Sequence, residues 1–217
     1  MRLIHERLAA IGACDEALEG AFDLPEPTSP QEAWAQCPNP LWLLWLLTEL
    51  LDAGVISAKP VYRASMALME EGARELCRGN EHAVYRRAYE RLQAWVVNGG
   101  ATDPLARLRQ DAMIEKQMCE YRDARRHYAE KMRRSWLYAA LTRLLYSAST
   151  GVRPSDAADL YRAASDAAAC ITFAATTEED GRAHRKRAAD IVRLAVPWDE
   201  WEQALMAWAP TRKLIVE

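Results

Sequence analysis

Four side chains in one stretch of the chain have types and spacing that could support acid–base or metal chemistry. They recur at intervals of three and four residues, which stacks carboxylates and an imidazole on one helix face: Glu120, Asp123, His127 and Glu130. At about 100° per residue, this stripe lies nearly opposite the apolar face, which holds Ile114, Met118, Tyr121, Tyr128 and Met132. Lys116 and Arg134 share the polar stripe. We therefore interpret it as a solvated, salt-bridged face, with neither a catalytic nor a metal site.

A basic flank runs along the same predicted helix and consists of Arg122, Arg126 and Arg133. Arg125 and Lys131 add to it locally, although the net charge of the chain is −3. Such a cluster can hold an acidic protein surface, a phosphate or an RNA backbone. The simpler interpretation is an ordinary charged flank, partly neutralised by neighbouring acidic residues. If the flank has a function, we expect it to be a partner-binding surface.

Arg125 falls on the apolar face, between Tyr121 and Tyr128. A charge is costly there unless it is paired or stacked. The three side chains could line a pocket for an anionic or aromatic ligand. Equally, Arg125 could pair with a buried glutamate of a neighbouring helix and only organise the fold.

No familiar catalytic or cofactor motif occurs in the chain. Phosphate-cradling glycine loops, His-Glu-x-x-His, nucleophile elbows and paired Glu-x-x-His units are all missing from the sequence. The basic run 182–187 follows acidic residues 178–180 and contains no aromatic residue, so it lacks the stacking half of a single-strand nucleic-acid surface. We predict a non-catalytic protein without cofactor or metal, and we do not expect a nucleic-acid partner.

The overall composition favours helices. Half of the 217 residues are hydrophobic, glycine is scarce, and β-branched residues never alternate. The five cysteines are widely spaced and form no Cys-x-x-Cys pair, as expected of reduced thiols in a cytosol. The charged residues at 1–7 do not resemble a signal peptide, and the longest apolar run, 41–47, is too short to span a bilayer. We expect a cytoplasmic protein without membrane contact.

Prolines, glycines and capping residues divide the chain into helices. Short helices are predicted at 3–10 and 14–19, and Ser29-Pro30 starts another. The further predicted helices are 41–51, which is apolar all round and should form the core, 60–77, 80–97, 153–175, 177–196 and 197–208. Asp103-Pro104 starts a tract with no further proline or glycine before Gly151, and we expect a kink or interruption inside it. The prediction is an all-α helical bundle or stack of helical hairpins. Residues 1–217 are expected to form one domain, with 1–100 packed on 101–217.

Tryptophans concentrate near the end of the chain. Trp198, Trp201 and Trp208 lie in the last predicted helix, where Trp201, Leu205 and Trp208 share a face. That face either packs on the domain or anchors a partner, and it is a plausible homodimer contact.

Two segments carry a resemblance to a known group of proteins. Ala33-Trp34 followed by Cys37-Pro-Asn-Pro-Leu-Trp42-Leu-Leu-Trp45 resembles the opening of a group of small helical bacterial and phage proteins. Residues 189–193 followed by Val196-Pro-Trp198 resemble its closing helix. The group overlaps a proposed family of immunity proteins of polymorphic toxin systems. The likeness covers about a quarter of the chain and transfers no functional residue.

Three hypotheses follow. The first is an immunity or counter-defence factor that blocks or sequesters a partner protein. The second is a small-molecule or nucleotide sponge using Tyr121, Arg125 and Tyr128. The third is an unrecognised enzyme that uses the carboxylate–histidine stripe.

Overall fold

The structure is a computed structural model that describes residues 29–76, 82–99, 102–122, 128–151, 156–173 and 175–203. Within these ranges the chain forms eight α-helices and one 3-10 turn, and no strand. The all-α prediction is confirmed. The helices are α1 (Pro30–Gln36), α2 (Pro40–Asp52), α3 (Lys59–Leu76), α4 (Ala83–Asn98), α5 (Asp103–Arg122), α6 (Tyr128–Thr150), α7 (Ala157–Thr172) and α8 (Glu178–Ala195), and the 3-10 turn is Trp198–Glu200.

Side-chain caps start the helices where the sequence predicts. Ser29 Oγ accepts a hydrogen bond from the Glu32 amide at 3.2 Å, with Pro30 as the first helical residue. Asn39 Oδ1 caps α2 in the same way, and Thr177 Oγ1 caps α8. These bonds satisfy amides that would otherwise lack an intrahelical partner. The predicted helices at 3–10 and 14–19 lie outside the described residues.

α3 lies at the centre of the bundle. α2, α4, α6, α7 and α8 all pack against it. Its buried residues lie on several sides of the helix, including Val61, Tyr62, Ala64, Leu68 and Met69. The predicted core helix α2 is also largely buried, although its Trp42 and Trp45 are only half-buried.

Small side chains let α3 and α7 approach closely. The buried face of α7 is rich in alanine: Ala157, Ala163, Ala164, Ala167 and Ala168. At the closest point, a Cβ built on Gly72 of α3 would lie 3.0 Å from Cys170 Cβ of α7. A methyl group at this distance would force its neighbours to shift by a few tenths of an ångström.

The tract that begins at Asp103 forms two helices, α5 and α6, which pack against each other. This agrees with the interruption expected within the tract. The Arg109 guanidinium of α5 lies 4.4 Å from the Tyr146 ring centroid of α6, so the start of α5 lies beside the end of α6. The two helices are therefore antiparallel. The predicted apolar face is wrong at Ile114, which is 51% exposed, and at Tyr128, which is 70% exposed. That face assumes one straight helix. Ile114 lies in α5 and Tyr128 in α6, so a single helical periodicity does not describe both positions.

Both ends of the described chain pack together. The Trp201 ring contacts Trp34 of α1 and Trp198, with centroid separations of 4.6 and 4.5 Å. Arg193 of α8 donates to the carbonyl oxygens of Trp34 and Cys37 at 3.2 and 2.6 Å. Trp198 and Trp201 thus pack on the domain. Trp208 and Leu205, the other residues of the predicted dimer contact, lie outside the described residues.

An alanine at position 72 tests the α3–α7 contact. We expect Gly72→Ala to lower the free energy of unfolding by about 1–3 kcal/mol, because the new methyl group overpacks the helix crossing. Chemical denaturation measures the change.

Gly181→Ala is the matched control. A Cβ at Gly181 of α8 meets only the flexible tip of Arg185 at 3.5 Å and Ala175 at 3.9 Å. This substitution should raise stability by about 0.5–1 kcal/mol through helix propensity. Equal effects of the two substitutions would contradict the close crossing.

Candidate anion-binding groove

Of the predicted basic flank, the structure describes the side chain of Arg133. That side chain is hydrogen-bonded within the fold. Arg133 is half-buried, and its Nε donates to the Cys170 carbonyl oxygen at 2.6 Å. In return, Cys170 Sγ contacts the Arg133 carbonyl oxygen at 3.2 Å. The guanidinium thus caps the C-terminal end of α7. Arg126 lies outside the described residues. Arg122 belongs to α5, but its side chain is not among those that the structure describes.

Of the predicted pocket residues, too, the structure describes only one side chain, that of Tyr128. Tyr128 opens α6 and is 70% exposed. Arg125 lies outside the described residues, and the side chain of Tyr121 is not described. The pocket stays a prediction.

One residue on the carboxylate–histidine stripe, Arg134, departs from the interpretation of that stripe as a solvated face. Glu130 and Arg134 form the expected pair at 2.9 Å. Arg134, however, is only 7% exposed, because this part of α6 faces the interior. Asp123 and His127 lie outside the described residues. Across the described part of the chain, no three His, Cys, Asp or Glu side chains are grouped to hold a metal ion.

A different basic site is formed where α4 and α5 run antiparallel. We call it the arginine groove, a shallow groove of about 400 Å³ lined by Arg87, Arg91, Pro104, Arg107 and Leu108. Hydrophobic periodicity places these arginines there. α4 buries Tyr85, Ala88, Leu92 and Val96, and α5 buries Leu105, Leu108 and Ala112. The arginines follow the flanks of these two buried stripes, so they meet along one edge of the helix pair.

Among the described residues, a carboxylate partner is found for one arginine of the groove, Arg87. Arg87 Nη2 lies 3.2 Å from Asp111 Oδ2, which joins α4 to α5. Among the described residues, neither Arg91 nor Arg107 has a hydrogen bond or ion pair. Two guanidinium groups therefore face the same groove without compensation.

Pairing is the rule for arginines elsewhere in the described bundle. Those with carboxylate partners include Arg63, Arg74, Arg134, Arg143, Arg162, Arg182, Arg187 and Arg193. The Arg143–Asp166 pair at 3.1 Å bridges α6 and α7. Burial raises the pKa of Asp166, and Arg143 and Lys116 oppose that rise. The arginine groove differs because Arg91 and Arg107 are exposed to solvent and have no partner among the described residues.

Guanidinium groups offer planar forks of N–H donors that match carboxylate and phosphate oxygens. Arg91 of α4 and Arg107 of α5 both line the groove, so it presents N–H donors from two helices. Pro104 and Leu108 add an apolar strip beside the charges. This arrangement favours an anion attached to an apolar body.

The sequence alone could predict the α4 side of this site but not the α5 side. Arg87 and Arg91 are four residues apart on a predicted helix and therefore share a face. Arg107 joins them only because α5 folds back along α4, which local sequence patterns do not specify.

The chain matches no protein-family model, no curated protein and no solved structure. The resemblance of its two ends to the immunity-protein group stays a prediction. Within the described residues, no helix is both long enough and apolar enough to cross a membrane.

A double-mutant cycle tests the geometry of the groove. We expect Arg91→Glu and Arg107→Glu each to raise the free energy of unfolding by about 0.3–1 kcal/mol at low salt, because each converts a repulsion into an attraction across the groove. The double substitution restores like charges and should lose the gain. Urea denaturation at low and high salt measures the coupling, which screening should weaken. Strictly additive effects would contradict the placement of both side chains in one groove.

Proposed function

We propose that the protein is a non-catalytic binding protein that receives an acidic segment of a partner protein in the arginine groove. The observation that carries this proposal is the pair Arg91 and Arg107. They face one groove from two helices and have no carboxylate partner among the described residues. A partner's carboxylates would replace that missing compensation.

Several features favour a protein over a nucleic acid as the occupant. The groove is short, at about 400 Å³, and no aromatic side chain is among its lining residues. Nucleic-acid surfaces need an extended run of cations, and single strands also need stacking platforms. The net charge of −3 further opposes a long polyanion. A few carboxylates on an amphipathic segment fit both the charges and the apolar strip.

Recognition would rest on a small number of strong contacts. Arg87 is held by Asp111, so it contributes to the potential of the groove while fixing α4 against α5. Arg91 and Arg107 are free to form bidentate bonds with incoming carboxylates. Their mutual repulsion ends when the anion binds, which adds to the favourable free energy of association. Long-range attraction also speeds the encounter of the two proteins.

An immunity or counter-defence factor acts by occupying a functional surface of its partner. The resemblance of the two chain ends supports that role. A cytoplasmic location is part of the same proposal. Arg122 and Arg126 remain predicted partner contacts. Arg133 suits this role less, because its Nε is bonded to the Cys170 carbonyl oxygen.

Charge reversal of the groove tests the proposal. We expect the Arg91→Glu/Arg107→Glu double variant to lose at least about tenfold in affinity for the partner, since two charge-assisted contacts become repulsive. Quantitative affinity purification from the native host, comparing wild type with the variant, identifies proteins whose recovery depends on the groove. Titration with the purified partner then gives the affinity.

Arg185→Glu/Lys186→Glu is the matched control. Both residues are exposed on α8, and neither has a partner among the described residues. The control reverses the same number of charges and should keep the partner. The proposal fails if the groove variant recovers the same proteins as wild type. It also fails if the groove-dependent ligand is a nucleic acid.

A further inference from the structure

A second concave site lies where the start of α3 meets the end of α4. This cleft has a volume of about 500 Å³ and is separate from the arginine groove in its lining residues. Its lining includes Leu51 from α2, Lys59 and Tyr62 from α3, and Trp95, Val97 and Asn98 from α4. The volume falls within the range of small-molecule sites, roughly 300–1,000 Å³.

Aromatic side chains form part of the cleft wall. The Tyr62 and Trp95 rings are in edge-to-face contact, with centroids 5.5 Å apart. Tyr62 is only 1% exposed, and its hydroxyl donates to the Leu144 carbonyl oxygen at 3.4 Å. Trp95 is half-buried, so part of its indole remains accessible. Tyr62 thus packs against one side of Trp95, whose accessible indole surface offers an apolar contact for a planar ring.

The apolar surface continues to the rim of the cleft. Val97 is 70% exposed although it is hydrophobic, and Leu51 closes the cleft on the α2 side. A ring held against Trp95 would cover part of this surface. Covering it removes apolar area from water, which favours binding.

Polar groups at the same rim provide charge and hydrogen bonds. Lys59 is exposed at the first position of α3, and Asn98 is exposed at the last position of α4. Neither has a hydrogen bond or ion pair among the described residues. None of the cleft-lining residues is acidic. The polar side of the cleft is therefore suited to an anion.

We propose that this cleft binds a small molecule in which a planar aromatic ring carries an anionic group. The ring lies against Trp95, and the anionic group meets the Lys59 ammonium and the Asn98 side-chain amide. An aromatic carboxylate and a nucleoside monophosphate share this chemistry. The site is distinct from the sequence-predicted pocket at Tyr121, Arg125 and Tyr128.

Two pairs of probes distinguish a carboxylate ligand from a phosphate ligand. Within each pair, the neutral analogue shows how much the anionic charge contributes to binding. Benzoate and benzamide form one pair, and adenosine monophosphate and adenosine form the other. The chain has eight tryptophans, so the ¹H–¹⁵N spectrum of the full protein contains eight indole N–H signals. Trp95→Phe identifies the signal of Trp95. We expect at least one anion to shift that signal saturably at concentrations below about 10 mM, with its neutral analogue at least about tenfold weaker.

Lys59→Met tests the role of the charge, because it keeps an apolar stem of similar length. It should remove the advantage of the anion over the neutral analogue. Lys186→Met on α8 is the control and should leave the affinity unchanged. Saturation by benzoate supports a carboxylate ligand, and saturation by the nucleotide supports a phosphate ligand. Absence of a saturable shift with all four probes overturns the proposal. Equal binding of charged and neutral probes, or an unchanged anion preference in Lys59→Met, also overturns it.

Discussion

The close crossing of α3 and α7 is the constraint on which the other helix positions depend. Gly72 lies against α7, whose buried face is rich in alanine, and a Cβ at position 72 would lie 3.0 Å from Cys170 Cβ. α6 and α8 then pack on both helices. α4 contacts α3 through the hydroxyls of Tyr85 and Tyr89 and through the Trp95 ring, which meets Tyr62. The placement of α4 in turn sets both the arginine groove with α5 and the cleft with the start of α3.

The distribution of charge gives this scaffold its chemical character. Most described arginines are used inside the fold. Some pair with carboxylates of other helices, as Arg63 does with Glu200 and Arg187 with Glu71. Others bond to carbonyl oxygens at helix ends, as Arg133 and Arg193 do. The Arg63 guanidinium also holds the pKa of Glu200 below its usual range. Against this pattern, Arg91 and Arg107 are exposed to solvent and have no carboxylate partner among the described residues.

Local patterns in the sequence predict several helix starts that the structure confirms. Ser29-Pro30, Asn39-Pro40 and Thr177 start helices through caps that involve only a few neighbouring residues. Such signals can be recognised without knowledge of the fold. The apolar character of α2 likewise identified a core element, because a helix that is apolar all round must be enclosed by others.

The sites were harder to predict because they depend on contacts between distant parts of the chain. The apolar face predicted for one straight helix included Ile114 and Tyr128, yet both are exposed. Arg133 looked like part of a basic surface, and its partner Cys170 is 37 residues away. Arg91 and Arg107 lie on two different helices. Their shared groove exists only after α5 has folded back along α4.

The central claim is that Arg91 and Arg107 are the cations available to an acidic partner, and their side-chain N–H signals test it most directly. Titration with an oligoglutamate peptide at low salt, followed through the arginine Nε–Hε resonances, reports on each guanidinium separately. We predict that the Arg91 and Arg107 signals shift along one common isotherm. The Arg143 signal should stay in place, since its Nε already donates to Asp166. Shifts of equal size at Arg185 on α8, or no shift at Arg91 and Arg107, would contradict the account.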